Sequence, residues 1–302
     1  MPEQLGTLSW KTRQVVLSSR PLSWINTAFP FAATYVGTTG RIDALLVVGT
    51  LFFLVPYNLL MYGINDVYDY ESDLRNPRKG GAEGALLHPA LHRTVIAAGV
   101  LSVAIVGGSM VVLAGAGHPL SWVVLAVSVF AVVAYSVRGL RFKERPVLDS
   151  ITSSTHFVSP AVYGLVVAGA TIDFGLLALL AAFVLWGMAS HAFGAVQDVE
   201  PDRQAGIASI ATALGAGPTV RLSITFWAVA GVLMLATPWP GPLAAVLAVP
   251  YILAALPFRS VSDEQSATAN RGWKRFLWLN FITGSLVTLL LIYWVRHSAG
   301  EF

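Results

Sequence analysis

The 302-residue sequence contains no cysteine. That excludes disulfides, a thiolate nucleophile, cysteine-ligated zinc and cysteinyl iron–sulfur clusters. Charge is also scarce: Asp, Glu, Lys and Arg make up 12% of the chain, against about 25% in a soluble globular domain. Hydrophobic residues reach 55% and the mean hydropathy is +0.67. Disorder needs the opposite composition, and an ordinary soluble enzyme lacks this excess of apolar residues. The 19 Lys and Arg exceed the 16 Asp and Glu by only three. The pI of 9.3 follows from that small excess, so no nucleic-acid partner is expected. What remains is an all-α polytopic membrane bundle, read as a single domain over 1–302.

A helix needs roughly 20 mainly apolar residues to cross a bilayer. Nine stretches qualify by eye: 21–39, 43–63, 94–114, 119–137, 147–169, 173–195, 219–237, 240–258 and 276–295. Asn26 and Pro30 interrupt the first apolar run, which favours a retained helix over a cleaved signal. With the N-terminus in the cytoplasm, all 19 Lys and Arg except Arg41 and Arg296 fall in cytoplasmic segments. The positive-inside bias therefore supports this orientation, with the C-terminus on the opposite side.

Two acidic segments leave hydrophobic spans at the cytoplasmic side. The first reads Asn65-Asp66-Val67-Tyr68-Asp69-Tyr70-Glu71-Ser72-Asp73, the second Gln197-Asp198-Val199-Glu200-Pro201-Asp202-Arg203. At 100° per residue, Asp66, Asp69 and Asp73 fall within about 60° of one helix face. Asp198 and Asp202 are likewise i, i+4, unless Pro201 breaks that helix. Stacked carboxylates repel, so something positive should offset them. A solvated helix end is one account of a single such stripe. Two stripes at equivalent places favour a hard divalent cation such as Mg²⁺, which takes carboxylates together with substrate phosphates. Basic loops lie nearby, with Arg78 after the first stripe, Arg141 and Lys143 between spans, and Arg203 in the second. The positive-inside bias alone explains many such residues. Beside acid stripes they also suit a diphosphate, whose oxygens Arg and Lys can grip.

Asn58, His156 and His191 are polar positions within spans, and intramembrane polar groups are cavity candidates; packing hydrogen bonds are the alternative. No Arg, Lys, Asp or Glu reads as buried mid-span.

At these residues the chain resembles the UbiA family of intramembrane prenyltransferases. Asn65, Asp66, Asp69 and Asp73 fit the family's NDxxDxxxD pattern, and Asp198 and Asp202 its DxxxD. Arg20-Pro21, Tyr135-Ser136 and Lys143 fit as well, although Val137-Arg138-Gly139 stands where prolines are expected. The stretch Asn65 to Leu87 is similar to the lycopene-elongase branch. The resemblance implies a UbiA-like fold and transfer of a dimethylallyl group from its diphosphate to the ends of lycopene, giving C45 and C50 carotenoids. It implies two Mg²⁺ ions on Asn65, Asp66, Asp69, Asp73, Asp198 and Asp202. Asn65, Arg78, Tyr135, Arg141, Lys143 and Arg203 would meet the diphosphate, and a carotenoid cyclase could act downstream. An aromatic quinone precursor or another lipid is the alternative acceptor. A secondary transporter fits poorly, because transporters hold ions near the midplane and these acids lie at helix ends.

Overall fold

A computed structural model describes residues 7–74, 86–115 and 117–298. Among them the regular structure is helical. The chain packs as two compact units, Met1–Arg141 with Ser159–Ala170, and Phe142–Val158 with Thr171–Phe302.

The first unit contains α1 (Leu8–Ser18), α2 (Trp24–Thr39), α3 (Ala44–Leu54), α4 (Pro56–Tyr68), α5 (Tyr70–Asp73), α6 (His92–Ala114) and α7 (Pro119–Ser136). Its core is a cluster of Phe31, Phe52, Phe53, Tyr57 and Tyr163, with neighbouring rings 5.0–6.2 Å apart. Such edge and tilted contacts add to the apolar burial of the rings. Gly49 lets the Phe31 ring press onto the α3 backbone, where a Cβ would collide with it.

α3 and α4 form one apolar segment, Ala44–Tyr68, kinked at Val55-Pro56. Proline lacks the N–H that would continue the helical ladder. Inside a membrane the released carbonyls need another donor. Asn58 supplies it: its Nδ2 donates to Phe53 O at 2.8 Å, Leu54 O at 3.0 Å and Thr27 Oγ1 at 2.7 Å. Asn58 is fully buried. It mends a kink, which corrects the expectation that it lines a cavity.

α8 (Leu148–Val167) begins in the second unit. α9 (Phe174–Val196), α10 (Val199–Gln204), α11 (Ile210–Leu214), α12 (Ala216–Met234), α13 (Ala248–Ala255) and α14 (Asn270–Ser298) complete that unit. Its core stacks Phe193, Trp227, Tyr251, Phe258 and Phe276. The first turns of α8 lie on α9, where Ser154 Oγ donates to Val184 O at 2.8 Å.

Seven helical segments of the described residues are long and apolar enough to span a membrane. They correspond to seven of the nine expected stretches. The other two are helical but fall short for physical reasons. α2 has only 16 residues after the short 3-10 turn Pro21–Ser23. α8 carries Asp149, Ser150, Thr152, Ser153, Ser154, Thr155, His156 and Ser159, which lower its apolarity. Large apolar side chains point outward along the spans, with Leu101, Ile105, Val112, Val232, Trp278 and Leu289 all exposed. That is the surface of a helix facing lipid.

Candidate active site

The first acidic motif sits at the end of α4. Asp69 interrupts the helix, yet its N–H donates to Asn65 O at 2.9 Å and the Asp73 N–H to Asp69 O at 2.8 Å. The helical ladder therefore runs through, and Asp66, Asp69 and Asp73 keep one face, as the spacing predicts. Asp66 and Asp73 are buried and Asp69 is half-buried.

Each of the first two carboxylates faces an arginine. Arg20 Nη2 lies 2.9 Å from Asp66 Oδ1, and Ser18 Oγ lies 3.5 Å from Asp66 Oδ2. The Arg20 guanidinium also stacks 4.3 Å over the Tyr62 ring, a cation–π contact. Arg20 precedes a proline, which disfavours the right-handed helical region, and it adopts φ 51° instead. A non-glycine residue there is strained, so this placement of the guanidinium is held by its contacts. Arg141, at φ 39°, pairs with Asp69 at 3.5 Å. Asn65 Nδ2 donates to Ser136 Oγ at 3.1 Å, tying the motif to the end of α7. Tyr135, one residue earlier, is half-buried. Arg78 lies outside the described residues.

The second motif is built differently. α9 stops at Val196, and Asp198 opens the new helix α10. Pro201 sits in the first turn of α10, where its missing N–H costs nothing. The interruption therefore comes ahead of Pro201 rather than at it. The Asp202 N–H donates to Asp198 O at 2.8 Å, so the two half-buried aspartates still share a face. Arg203 is committed elsewhere. Its Nη2 and Nε donate to Thr212 O at 2.9 and 3.3 Å, and its Nη1 pairs with Asp263. Asp263 in turn accepts the Ala216 N–H at 2.6 Å, capping α12. That backbone bond and the Arg203 guanidinium hold the Asp263 carboxyl below the usual carboxylate range. Gln197 Nε2 donates to Gly194 O at 3.0 Å and the Gln197 amide oxygen accepts from Asn270. Arg203 thus braces the second motif, where the sequence led us to expect a diphosphate ligand. Lys143 lies half-buried in the short turn Phe142–Glu144.

One buried acid was not anticipated. Asp149, at the head of α8, is fully buried. The Ser150 N–H donates to its Oδ1 at 2.7 Å and the Ile210 N–H to its Oδ2 at 2.8 Å. His191 Nε2 lies 3.5 Å from the same Oδ2. His156, seven residues after Asp149 and on the same face of α8, is buried as well. A carboxylate opening a span rich in Ser and Thr was the available signal; it stands in the first turn of α8, at the edge of the span rather than mid-span.

Among the described residues no three His, Asp or Glu side chains gather into a metal-holding group. The chemistry of the first motif nonetheless fits Mg²⁺. Its side-chain donors are carboxylate and amide oxygens, the set that Mg²⁺ prefers.

Partly buried acid stripes at helix ends, with cationic side chains beside them in an apolar helical scaffold, fit a membrane-embedded enzyme. The model of the UbiA prenyltransferase family matches residues 27–294, and the chain belongs to that family. It is an integral membrane prenyltransferase. The chain is 48% identical to the lycopene elongase/hydratase of Corynebacterium glutamicum over 282 residues, covering 93% of this chain and 97% of that protein. It is 50% identical to the C(50) beta-cyclic carotenoids biosynthesis protein LbtBC of Dietzia sp. (strain CQ4), covering 97% of this chain but only 66% of that longer protein. Solved structures of a UbiA homolog from Archaeoglobus fulgidus, one bound to GPP and Mg²⁺ and one to DMAPP and Mg²⁺, have the same fold. Their TM-scores are 0.62 and 0.61 at 19% identity, over 90% of this chain and 99% of theirs.

Proposed function

We propose that the protein transfers dimethylallyl groups from dimethylallyl diphosphate to the two ends of lycopene, giving C45 and then C50 carotenoids. The observation that carries the diphosphate half is the pair of carboxylates, Asp66 and Asp69, that share one helix face and each meet an arginine. The acceptor half is supported by the 48% identity to a lycopene elongase/hydratase over nearly the whole of both chains. We read 1–302 as one catalytic domain, with its N-terminus and acidic motifs cytoplasmic and its C-terminus on the opposite side.

Asn65, Asp66, Asp69 and Asp73, with Asp198 and Asp202, are the residues that would hold Mg²⁺, as two ions. Bound there, Mg²⁺ neutralises charge developing on the departing pyrophosphate. Arg141 and Lys143, with Arg78, grip the remaining phosphate oxygens. Tyr135, next to the Ser136 that anchors Asn65, helps set the diphosphate's position. Arg203 and Asp263 keep the second motif in place. The apolar helices exclude water from the allylic cation until the acceptor's terminal alkene attacks it. A lipophilic acceptor reaches such a site from the bilayer, and a carotenoid cyclase is the expected consumer of the product.

Expression in a lycopene-accumulating bacterium tests the reading, with pigments resolved by chromatography and mass. Conversion of lycopene to C45 and C50 products, abolished by Asp69→Ala with Asp198→Ala, is the expected result. Unchanged lycopene despite good membrane expression overturns the acceptor and leaves aromatic acceptors to be screened with Mg²⁺ and prenyl diphosphates.

A further inference from the structure

We infer that His191, held against the buried carboxylate of Asp149, accepts the proton released when the prenylated carotenoid cation is quenched. The inference rests on the elongase reading given above.

Three observations meet at this pair. Asp149 is an acid wholly buried at the head of a span, and both its oxygens are fixed by backbone N–H groups, from Ser150 and Ile210. It therefore stays in one place and keeps its charge partnered. His191 Nε2 lies 3.5 Å from it, with 18% of the histidine side chain still exposed. The imidazole is thus oriented by a carboxylate while retaining access. Thirdly, His191 stands seven residues before Asp198. α9 ends five residues beyond His191, so at 1.5 Å per residue the histidine stands about 7–8 Å inside that end of the span.

The chemistry releases a proton that such a group can take. The allylic C–O bond of the donor breaks and its electron pair leaves with pyrophosphate. The π pair of the acceptor's terminal alkene forms the new C–C bond and leaves a tertiary cation. One fate breaks a neighbouring C–H bond, whose pair becomes a new alkene. The other bonds a water oxygen to the cation and then breaks an O–H bond, whose pair stays on oxygen. Each fate releases one proton, and the imidazole takes it. The imidazolium so formed lies beside the Asp149 carboxylate, which stabilises it. Asp149 also caps the start of α11 through Ile210, and Asp149→Asn keeps an oxygen for that N–H while removing the charge.

The test uses the full chain reconstituted in lipid vesicles with lycopene, dimethylallyl diphosphate and Mg²⁺. The wild type, His191→Gln, His191→Ala and Asp149→Asn are compared for kcat, donor KM and the ratio of alkene to alcohol products. His191→Gln is expected to lower kcat by roughly 10²-fold, the usual worth of a positioned proton acceptor. Its donor KM should stay unchanged and its product ratio should shift. Asp149→Asn should move both in the same sense by less. Added imidazole should restore part of the His191→Ala rate and none of the Asp69→Ala rate, a result a packing role cannot produce. His191→Gln with wild-type kcat and product ratio overturns the inference, as does a loss confined to donor KM, or His191→Ala left unrescued. A wild-type enzyme that leaves lycopene untouched overturns the elongase reading beneath it, and that outcome is read before any variant is compared.

Discussion

The two acidic motifs share a spacing and differ in how the protein supports them. In the first, the carboxylates themselves are held: Asp66 is buried against Arg20, which is 46 residues away in sequence, and Asp69 meets Arg141. In the second, Asp198 and Asp202 are half-buried, and the bracing falls on their neighbour Arg203, through Thr212 and Asp263. The acids at either end of the first motif are buried in the fold, whereas both acids of the second are half-buried. The same aspartate spacing can thus lie deep in the fold in one place and nearer its surface in another. A substitution of a buried acid in the first should damage stability and chemistry together, and one in the half-buried second should cost less stability for a similar loss of chemistry.

The largest expected effect comes from Asp66→Ala. It removes one partner of a buried ion pair and leaves Arg20 uncompensated, a loss of about 3 kcal/mol. Turnover should fall by roughly 10²- to 10³-fold, the cost of deleting one preorganised electrostatic group. Asp198→Ala should match that loss of turnover while costing less stability than Asp66→Ala, because its carboxylate is half-buried rather than enclosed. Thermal unfolding in detergent, run beside the prenyl-transfer assay, measures both. Equal destabilisation by the two variants breaks the comparison. Next in size, Arg20→Lys keeps the charge but loses the planar contact with Tyr62 and the fixed fork. It should cost about 1 kcal/mol or slightly more, the scale of a partly buried cation–π contact.

The parts of this arrangement that were legible in the sequence are local. Apolar runs of membrane length gave the spans, and i, i+4 spacing gave the shared faces of both motifs, because helical geometry converts sequence separation directly into direction. The partners were not legible, because they are long-range. Nothing near Asp66 points to Arg20, and nothing near Arg203 points to Asp263, 60 residues on. The sequence placed Arg203 among the phosphate ligands because it adjoins Asp202, whereas the fold turns its guanidinium to Thr212. Asn58 was misread for a different reason. Pro56, two residues earlier, already implied carbonyls in need of a donor. Asp149 was passed over because it stands at the edge of an apolar run, where solvent and burial are equally consistent with the letters.

The smallest effect sharpens the second motif's brace by pH. Asp263 is held below its ordinary value of 3.8 by the Ala216 N–H and then by Arg203. A carboxyl depressed in the folded state contributes stability above its unfolded value, and that contribution disappears as pH falls through the folded one. Asp263→Asn keeps an oxygen to cap Ala216 and cannot titrate. The wild type should therefore unfold at a higher temperature than Asp263→Asn at pH 7 and at pH 5, by the same margin. Below pH 4 the margin should shrink toward zero. The pair is partly exposed, with side-chain accessibilities of 41% for Arg203 and 30% for Asp263, so the margin is expected to stay under about 1 kcal/mol. High salt at pH 7 should narrow it further, because exposed ion pairs are screened. Loosening the brace should also raise the Mg²⁺ concentration needed for half-maximal activity. Asp66→Asn offers the contrast, since its buried pair is screened far less and its stability deficit should persist in high salt. Equal salt responses in the two variants would mean that the second motif is as deeply built in as the first.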